Sequence, residues 1–456
     1  MSIFNISFKK IRKFSVTAAL CLMLLMPGFV LSQSWQALGT GAGDHVKALT
    51  VFNNQVIAGG KFTSAGGVVA SRIAMWNGTS WSAIGAGFNN EVFALAIYNS
   101  KLIAAGKFTA SGTVNINRIA QWNGSEWEPL NTGVNDEVYG LSVYDNELIV
   151  AGRFSTAGGI IVNNIAKWNG STWSSLGSGT NDDVNAVTVF NNELIAGGKF
   201  GNVDGVQAQK IASYDGITWS PIGAGFNDGE VLSMTVNNNS LFVGGSFTHL
   251  GGTTVNRITS WDGVNWHLLD NGVNDKVNAV YSYMGAVFAA GKFTTAGGIV
   301  ANRIAMWNGA NWSALGSGIG GASEVFALCG NSSELIVGGH FNSAGGVVAN
   351  NIARYGTLTS VSSTGGNLPS EYKLYQNYPN PFNPSTLIRF DMPEQSEACV
   401  KVFDINGKLV NTLYEGQLNA GSYSINWNAS GIASGVYFYN IETGKFSRTM
   451  KMILMK

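Results

Sequence analysis

Val56-Ile-Ala-Gly-Gly-Lys-Phe62 and Arg72-Ile-Ala-Met-Trp-Asn-Gly-Thr-Ser-Trp81 are two parts of one stretch that recurs along most of the chain. The phenylalanine that ends the first part returns as Phe108, Phe154, Phe200, Phe247, Phe293 and Phe341. The tryptophan that ends the second part has counterparts at Trp35, Trp127, Trp173, Trp219, Trp266 and Trp312. Successive tryptophans are 46, 46, 46, 46, 47 and 46 residues apart. A nearly constant period of this length predicts a solenoid, a propeller or another repeat array.

Each period contains four short β-type segments and no segment with helical spacing of apolar residues. In the first period these segments are Val46–Phe52, Val56–Ala58, Arg72–Trp76 and Trp81–Ile84. Asn53-Asn54 and Asn77-Gly78 are the turn signals between them. Four short strands per period are typical of a propeller blade, a sheet that buries its two faces against neighbouring blades.

The ends of the repeat region complement each other. Trp35–Leu38 has no three strands before it, and the last unit ends at Tyr355 without a tryptophan strand after it. We therefore predict an all-β fold whose main part is a seven-bladed β-propeller with four-stranded blades. In this propeller Trp35–Leu38, the N-terminal strand, closes the blade formed by residues 325–355. Closure removes the exposed sheet edges that an open array would leave.

The repeats resemble the kelch family. Glycine doublets that end the second strand, such as Gly59-Gly60, carry this resemblance, together with an aromatic residue that precedes each tryptophan, such as Trp76 before Trp81. The chain departs from kelch in the shorter spacing between these aromatics and in Ala-Gly doublets such as Ala105-Gly106. The resemblance implies a kelch-like propeller. The WD40 family is less favoured, because Trp261-Asp262 is the only dipeptide of its type.

Residues 1–32 have the pattern of a signal peptide. Four basic residues precede an apolar run from residue 16 to 30, and small residues follow up to Ser32. We expect cleavage after Ser32 and no transmembrane segment in the mature chain. A lipoprotein signal is less favoured because Leu20 precedes Cys21. The mature chain would carry 27 − 4 = 23 basic and 27 acidic residues, so nucleic acid is not an expected partner.

The repeat stops after residue 356, and the small polar residues 357–371 are typical of a linker. We therefore divide the chain into a signal peptide (1–32), a propeller (33–356), a linker (357–371) and a C-terminal domain (372–456). The last domain contains short alternating segments that predict a small β-sandwich. These segments are Leu387–Phe390, Val400–Phe403, Tyr423–Trp427 and Val436–Ile441.

Five motifs of this tail occur in order: Tyr378–Thr386, Val402–Gly407, Ala420-Gly421, Ala433–Phe438 and Lys451–Lys456. In this respect the tail is similar to the type A C-terminal sorting domain of the type IX secretion system. The resemblance implies export to the periplasm, translocation across the outer membrane by the type IX machinery, and release or attachment at the surface. The residues that match the sorting motifs are Tyr378, Pro379, Asn380, Pro381, Phe382, Asn383, Pro384, Gly407, Gly421, Gly435, Lys451 and Lys456.

Two series of loops are expected on one face of the propeller, and their charged residues are the candidate binding residues. The acidic candidates are Glu91, Asp136, Glu137, Asp182, Asp183, Glu230 and Glu324, with Asp44, Asp228 and Asp275 in the same loops. The basic candidates are Lys61, Lys107, Arg153, Lys199, Lys292 and His340, and Ser246 breaks this series. Arranged around the face, these residues would form an acidic ring and a basic ring, which suit a cation or a polar ligand such as a glycan. Their near-identity from blade to blade instead favours turn formation and ion pairs between blades.

Nothing in the sequence predicts a catalytic residue, a metal or a cofactor. The loops are uniform, and the four histidines have no metal-ligand spacing. Asp215-Gly216 and Asp262-Gly263 resemble the sialidase Asp-box but lack one residue, and we interpret them as turns. Aromatic pairs such as Trp76 with Trp81 favour packing between blades over sugar stacking.

We therefore predict a secreted or surface-attached, non-catalytic binding or adhesion propeller for a glycan or a surface protein. The alternative is a secreted hydrolase or lyase that degrades polysaccharide or peptide. Loop-face residues that differ between blades distinguish the two. Clustering of such residues on adjacent blades, with an acid and a base about 5–9 Å apart, would favour the enzyme.

Overall fold

A computed structural model of the chain describes residues 33–321, 323–331, 334–357, 362–363, 369–418, 420–429 and 432–455. The expected signal peptide at residues 1–32 and Lys456 of the last tail motif lie outside these residues. Within the described ranges, no helix has the length and apolar character needed to cross a membrane.

Residues 33–357 form seven antiparallel four-stranded sheets in the described part of the chain, and we number these blades 1 to 7. The innermost strands are Val46–Phe52, Val92–Tyr98, Val138–Tyr144, Val184–Phe190, Val231–Asn237, Val277–Tyr283 and Glu324–Gly330. The second strands are Gln55–Gly60, Lys101–Gly106, Glu147–Gly152, Glu193–Gly198, Ser240–Gly245, Ala286–Gly291 and Glu334–His340. The third strands are Ile73–Trp76, Ile119–Trp122, Ile165–Trp168, Ile211–Tyr214, Ile258–Trp261, Ile304–Trp307 and Ile352–Thr357. The outermost strands are Trp81–Ala83, Trp127–Pro129, Trp173–Ser175, Trp219–Pro221, Trp266–Leu268, Trp312–Ala314 and Gln33–Ala37.

The predicted closure of the ring is confirmed. Gln33–Ala37 pairs antiparallel with Ile352–Thr357, so that Trp35 lies opposite Tyr355 in blade 7. Around the centre, the innermost strand of blade 1 contacts that of blade 7, as every other pair of neighbouring innermost strands does. The seven-bladed propeller is therefore continuous and its sheets leave no gap in the ring.

Indole hydrogen bonds join the outermost strands of neighbouring blades. The Trp35 Nε1–H donates to the Leu315 carbonyl at 2.8 Å, and the Trp81 Nε1–H donates to the Leu38 carbonyl at 2.8 Å. The further donor and acceptor pairs are Trp127 with Ile84, Trp173 with Leu130, Trp219 with Leu176 and Trp312 with Leu269. In blade 5 the Trp266 Nε1 atom is buried and has no acceptor among the described residues. The bond thus recurs in six blades and is missing in one.

The turns have the chemistry that the sequence predicts. Asn53 and Asn54 have φ values of 48° and 60°, as a tight hairpin turn of this kind requires. The Asn77 side-chain oxygen accepts hydrogen bonds from the backbone N–H groups two and three residues later. Asp215 and Asp262 make the same two bonds in their blades. The Asp-Gly sequences are therefore turn formers in the place of Asn-Gly.

Short hairpins between the second and third strands were not predicted. The first of them pairs Ser64–Ala65 with Val68–Val69. The others are Ala110–Ser111 with Val114–Asn115, Thr156–Ala157 with Ile160–Ile161, Asn202–Val203 with Val206–Gln207, His249–Leu250 with Thr253–Thr254, Thr295–Ala296 with Ile299–Val300, and Ser343–Ala344 with Val347–Val348 and Ile319–Gly320. In five blades a bridge, such as the one from Ala42 to Ala65, places the loop before the innermost strand beside such a hairpin, and in blade 7 Ile319–Gly320 pairs with the hairpin. Both loop series therefore lie on one face, which we call the loop face.

The C-terminal part is a sandwich of two four-stranded sheets. One sheet contains Ser362–Ser363, Gly421–Asn428, Ser385–Met392 and Lys373–Leu374 in that spatial order. The other contains Leu409–Leu418, Ser396–Phe403, Gly435–Thr443 and Ser447–Leu454. Phe390 and Trp427 of the first sheet share a buried core with Val402 and Tyr439 of the second. The four predicted segments lie within longer strands, and Ser362–Ser363 comes from the stretch expected to be a linker.

Candidate functional site

The charged side chains of the loop face pair with one another. Some pairs cross from one blade to the next: Lys107 lies 3.0 Å from Glu137, and Lys292 lies 3.4 Å from Glu324. Others stay within one blade, namely Lys61 with Asp44, Arg153 with Asp136 and Lys199 with Asp183. The acidic and basic candidates thus meet as the sequence pattern suggests, but most neutralise each other.

Three further candidates have partners of another kind. The Asp182 carboxylate accepts the backbone N–H of Asp183, and the Glu230 carboxylate accepts a hydrogen bond from the Asn185 amide. The His340 ring lies 4.0 Å from the His45 ring, in a tilted arrangement, at the seam between blades 7 and 1. A cavity of about 390 Å³ lies at this seam and is lined in part by Asp44, His340 and Asn351.

The second glycine of each doublet is sterically required. A Cβ atom on Gly60 would lie 2.1 Å from the His45 carbonyl oxygen, and one on Gly198 would lie 2.1 Å from that of Asp183. Real Cβ atoms do not approach oxygen so closely, which explains why only the first position of the doublet changes to alanine. This approach lets the Lys61 N–H donate to the His45 carbonyl at 2.8 Å. This hydrogen bond and its equivalents in other blades hold the start of the innermost strand against the end of the second strand.

A β-bulge lies at this point in all seven innermost strands. In blade 1, Val46 faces Gly60 and Ala48 faces Gly59, so Lys47 is the extra residue of the bulge. The corresponding residues are Phe93, Tyr139, Asn185, Leu232, Asn278 and Phe326. Bulges re-aim a side chain and are frequent beside functional sites. Here the flanking residues are nearly constant while the bulged residue differs between blades.

The seven bulged residues line a second cavity of about 390 Å³, together with Glu137, Lys276 and Glu324. We call this cavity the channel mouth. Since the innermost strands of all seven blades contribute to it, it lies on the axis of the ring. Its volume falls within the range of about 300–1,000 Å³ that small-molecule sites occupy.

One arc of the channel mouth is aromatic. It runs over blades 7, 1, 2 and 3 and consists of Phe326, Lys47, Phe93 and Tyr139. The Lys47 ammonium lies 4.8 Å from the Phe93 ring centroid and 6.0 Å from that of Phe326. It also lies 2.6 Å from Glu91, which fixes it between the two rings. The Phe93 and Tyr139 rings are 5.9 Å apart, so the arc is a nearly continuous half-buried surface.

The other arc is formed by Asn185, Leu232 and Asn278 of blades 4, 5 and 6. The Asn185 amide donates to Glu230 at 3.1 Å and to the Val231 carbonyl at 2.9 Å. The Asn278 amide donates to Glu324 at 2.9 Å and to the Val325 carbonyl at 2.8 Å. These bonds orient both amides, so that one side of the mouth is polar and the opposite side is aromatic.

Glu137 is a charged acceptor. Burial opposes its ionisation, but hydrogen bonds from Lys107 and Tyr139 outweigh burial and hold its pKa below the ordinary value. Burial and the bond to Glu137 raise the pKa of Tyr139. A general acid for glycoside cleavage needs a raised carboxyl pKa, whereas the pKa of Glu137 is lowered. Among the described residues, no group of three or more His, Cys, Asp or Glu side chains has the arrangement of a metal site.

Sequence analysis missed the channel-mouth residues, apart from Glu137 and Glu324. A signal for them was present, because the residue after the first valine of each innermost strand changes from blade to blade. Only the bulge shows that this residue faces the centre. The conserved aromatic pairs do not contribute to this surface. Trp76 and Trp81 are buried with ring centroids 5.4 Å apart.

The residues that match the sorting motifs come together in the sandwich. The Asn380 side-chain oxygen accepts the Ile453 N–H, and the Phe382 N–H donates to the Ile453 carbonyl, both at 2.9 Å. Phe382 is buried with its ring 5.5 Å from Trp427. The segment with Tyr378, Pro379, Pro381, Asn383 and Pro384 therefore lies against the strand that contains Lys451. Gly407 has a φ of 76° in a turn, and Gly421 and Gly435 begin strands.

Comparisons with known families agree with both parts of the chain. Residues 376–455 match the secretion system C-terminal sorting domain. Residues 30–192 match the Rax2 C-terminal β-propeller domain, and residues 333–357 match a β-propeller domain of unknown function. The chain is a β-propeller with a type IX secretion tail. It is therefore an exported protein, and its tail implies interaction with the secretion machinery. The kelch label is not confirmed, since the matched propeller families are different ones.

No curated protein matches the chain significantly. Among solved structures, a mutant Salmonella alpha-2-macroglobulin matches with 9% identity and a TM-score of 0.17. This match covers 92% of the present chain, which spans about a quarter, 26%, of that structure.

Proposed function

We propose that the protein is a non-catalytic binding module, secreted or attached at the cell surface, that takes a glycan or a polar group of a surface protein into the channel mouth. Export begins with the signal peptide at residues 1–32 and is completed by the tail at residues 372–456. The tail supports the location, and the channel mouth supports the activity.

The observation that carries the proposal is the break in symmetry at the bulges. Seven blades repeat most of their packing residues and turns, because each blade has the same structural needs. The bulged residues share an environment but differ in chemistry, as Phe93, Asn185 and Leu232 illustrate. This variation lies at a position that faces the cavity in every blade, and a ligand in the cavity would account for it.

The chemistry of the mouth suits a sugar. Aromatic rings offer an apolar face to the C–H side of a pyranose, and oriented amides and carboxylates bind hydroxyl groups. A catalytic role is less well supported. The bulged aromatics do lie on adjacent blades, but the carboxylates around them are held in ion pairs or accept hydrogen bonds from asparagine amides. Glu137, whose pKa is lowered, is an example.

A glycan array with the purified chain tests the proposal, followed by titration of the best ligand. The substitutions Phe93→Ala and Tyr139→Ala each remove part of the aromatic arc and should weaken binding by about tenfold or more. Ile217→Ala is the matched control, since Ile217 is exposed on a turn at the opposite end of blade 4. Equal affinity of all four proteins would refute the assignment of the site, and so would the absence of any glycan or protein ligand.

Cell fractionation tests the export route. Deletion of residues 372–456 should retain the propeller in the periplasm, while the intact chain should reach the surface or the medium. The mature N-terminus should be Gln33. Because Trp35 is buried and bonded to Leu315, cleavage at this point leaves the closing strand complete. Surface exposure of the truncated chain would contradict the role of the tail.

A further inference from the structure

The interface between blades 5 and 6 lacks the pattern of five other interfaces, in which Lys or Arg at the end of one blade's second strand precedes Asp or Glu in the next blade; the seam between blades 7 and 1, with two histidines, lacks it as well. At the end of the second strand, six blades carry Lys, Arg or His, and blade 5 carries Ser246. At the residue before the first valine, five blades carry Asp or Glu, blade 1 carries His45, and blade 6 carries Lys276. The equivalent residues of the other blades are His45, Glu91, Glu137, Asp183, Glu230 and Glu324.

This double exchange moves a cation toward the axis and removes the acid that would neutralise it. At comparable interfaces the base of one blade pairs with the acid of the next, as Lys107 does with Glu137 and Lys292 does with Glu324. Between blades 5 and 6 the two positions hold Ser246 and Lys276, which have no such attraction. The Ser246 hydroxyl instead accepts the Glu230 N–H at 3.1 Å.

Lys276 differs from the other charged residues that line the channel mouth. Lys47 pairs with Glu91, Glu137 with Lys107, and Glu324 with Lys292. Lys276 is half-buried and lines the same cavity, yet no carboxylate of the described residues forms an ion pair with it. A half-buried ammonium without a counter-charge is a binding element for an anion.

We propose that the ligand of the channel mouth is an acidic sugar, that is, a pyranose with a carboxylate or a sulfate ester. Lys276 binds its anionic group, and the aromatic arc stacks on its ring. The order around the axis favours this, since Lys276 in blade 6 is next to Phe326 in blade 7, where the arc begins. The inference rests on the proposed function and names the ligand class of the same site.

Paired probes separate the anion from the sugar. The full chain is titrated by calorimetry with uronate oligosaccharides and with their methyl esters, and with sulfated oligosaccharides and their desulfated forms. We expect the charged member of at least one pair to bind about 10–100-fold more tightly, as loss of a charge-assisted hydrogen bond would predict. The pair that shows the preference identifies carboxylate or sulfate.

Three variants assign the preference to Lys276. Lys276→Gln should abolish it. The double variant Ser246→Lys with Lys276→Glu rebuilds the pattern of the other interfaces, so it should fold normally and also lose the preference. Lys101→Gln is the control, because Lys101 begins a second strand at the opposite end of blade 2.

The outcomes separate this inference from the proposed function. If charged and neutral probes bind equally well, and Phe93→Ala weakens both, the site is correct and the acidic ligand is wrong. If the preference persists in Lys276→Gln, the assigned residue is wrong and the inference fails. If no probe binds and the array finds no other ligand, both proposals fail.

Discussion

The indole hydrogen bonds between blades provide a stability test with a built-in control. Trp173→Phe removes the Nε1–H that donates to the Leu130 carbonyl at 3.0 Å. The carbonyl keeps the hydrogen bond that the Gly133 N–H donates at 3.0 Å, so the variant loses one hydrogen bond, worth about 0.5–1.5 kcal/mol. Trp266→Phe removes an indole whose Nε1 has no acceptor among the described residues. Both indoles contact a preceding aromatic residue in a tilted arrangement with centroids 5.1 Å apart, so both variants lose similar ring contacts.

The free energy of unfolding should therefore fall by about 0.5–1.5 kcal/mol more in Trp173→Phe than in Trp266→Phe. Urea denaturation followed by circular dichroism measures the difference. The slope of the unfolding free energy against urea concentration should be the same in all variants, so that the midpoints report stability alone. Trp219→Phe serves as a replicate, because its indole donates to the Leu176 carbonyl at 3.1 Å. Equal losses in the bonded and unbonded variants, or a greater loss in Trp266→Phe, would refute the reasoning that these bonds hold adjacent blades together.

Two further predictions concern the start of the innermost strands. Gly198→Ala places a Cβ atom 2.1 Å from the Asp183 carbonyl oxygen and should destabilise the fold by about 1–3 kcal/mol or more. Gly201→Ala is the control, because a Cβ atom there has nothing within 4 Å, and it should change stability by less than about 1 kcal/mol. Similar urea midpoints for the two variants would contradict the steric argument. Burial and the adjacent His340 hold the pKa of His45 below its ordinary value of 6.5, with Asp44, Lys61 and Lys47 also nearby. The unfolded chain binds this proton first, so stability should decline as the pH falls below 6.5. His45→Gln should reduce that decline, which urea unfolding curves at several pH values would measure. The same dependence of the unfolding free energy on pH in both proteins would contradict the role given to His45.

The sequence alone determined the architecture, because the repeat encodes local and nearest-neighbour physics. A period of 46 residues with turn signals such as Asn53-Asn54 specifies four short strands. The incomplete ends at Trp35 and Tyr355 then specify closure, since a sheet edge without a partner is costly. The tail motifs were equally informative, and residues 376–455 match a sorting-domain family.

Only the tertiary structure decided which residues line the channel mouth, where we propose that a ligand binds. Sequence patterns emphasise what repeats, and the repeated charges such as Lys107 and Glu137 are largely occupied with each other across blade interfaces. The informative residues are those that do not repeat. The direction of Lys47 or Phe93 depends on a bulge, which arises because the Gly60 and Gly106 positions admit a carbonyl at close range. The juxtaposition of seven such residues depends on ring closure, a contact between residues some 280 positions apart.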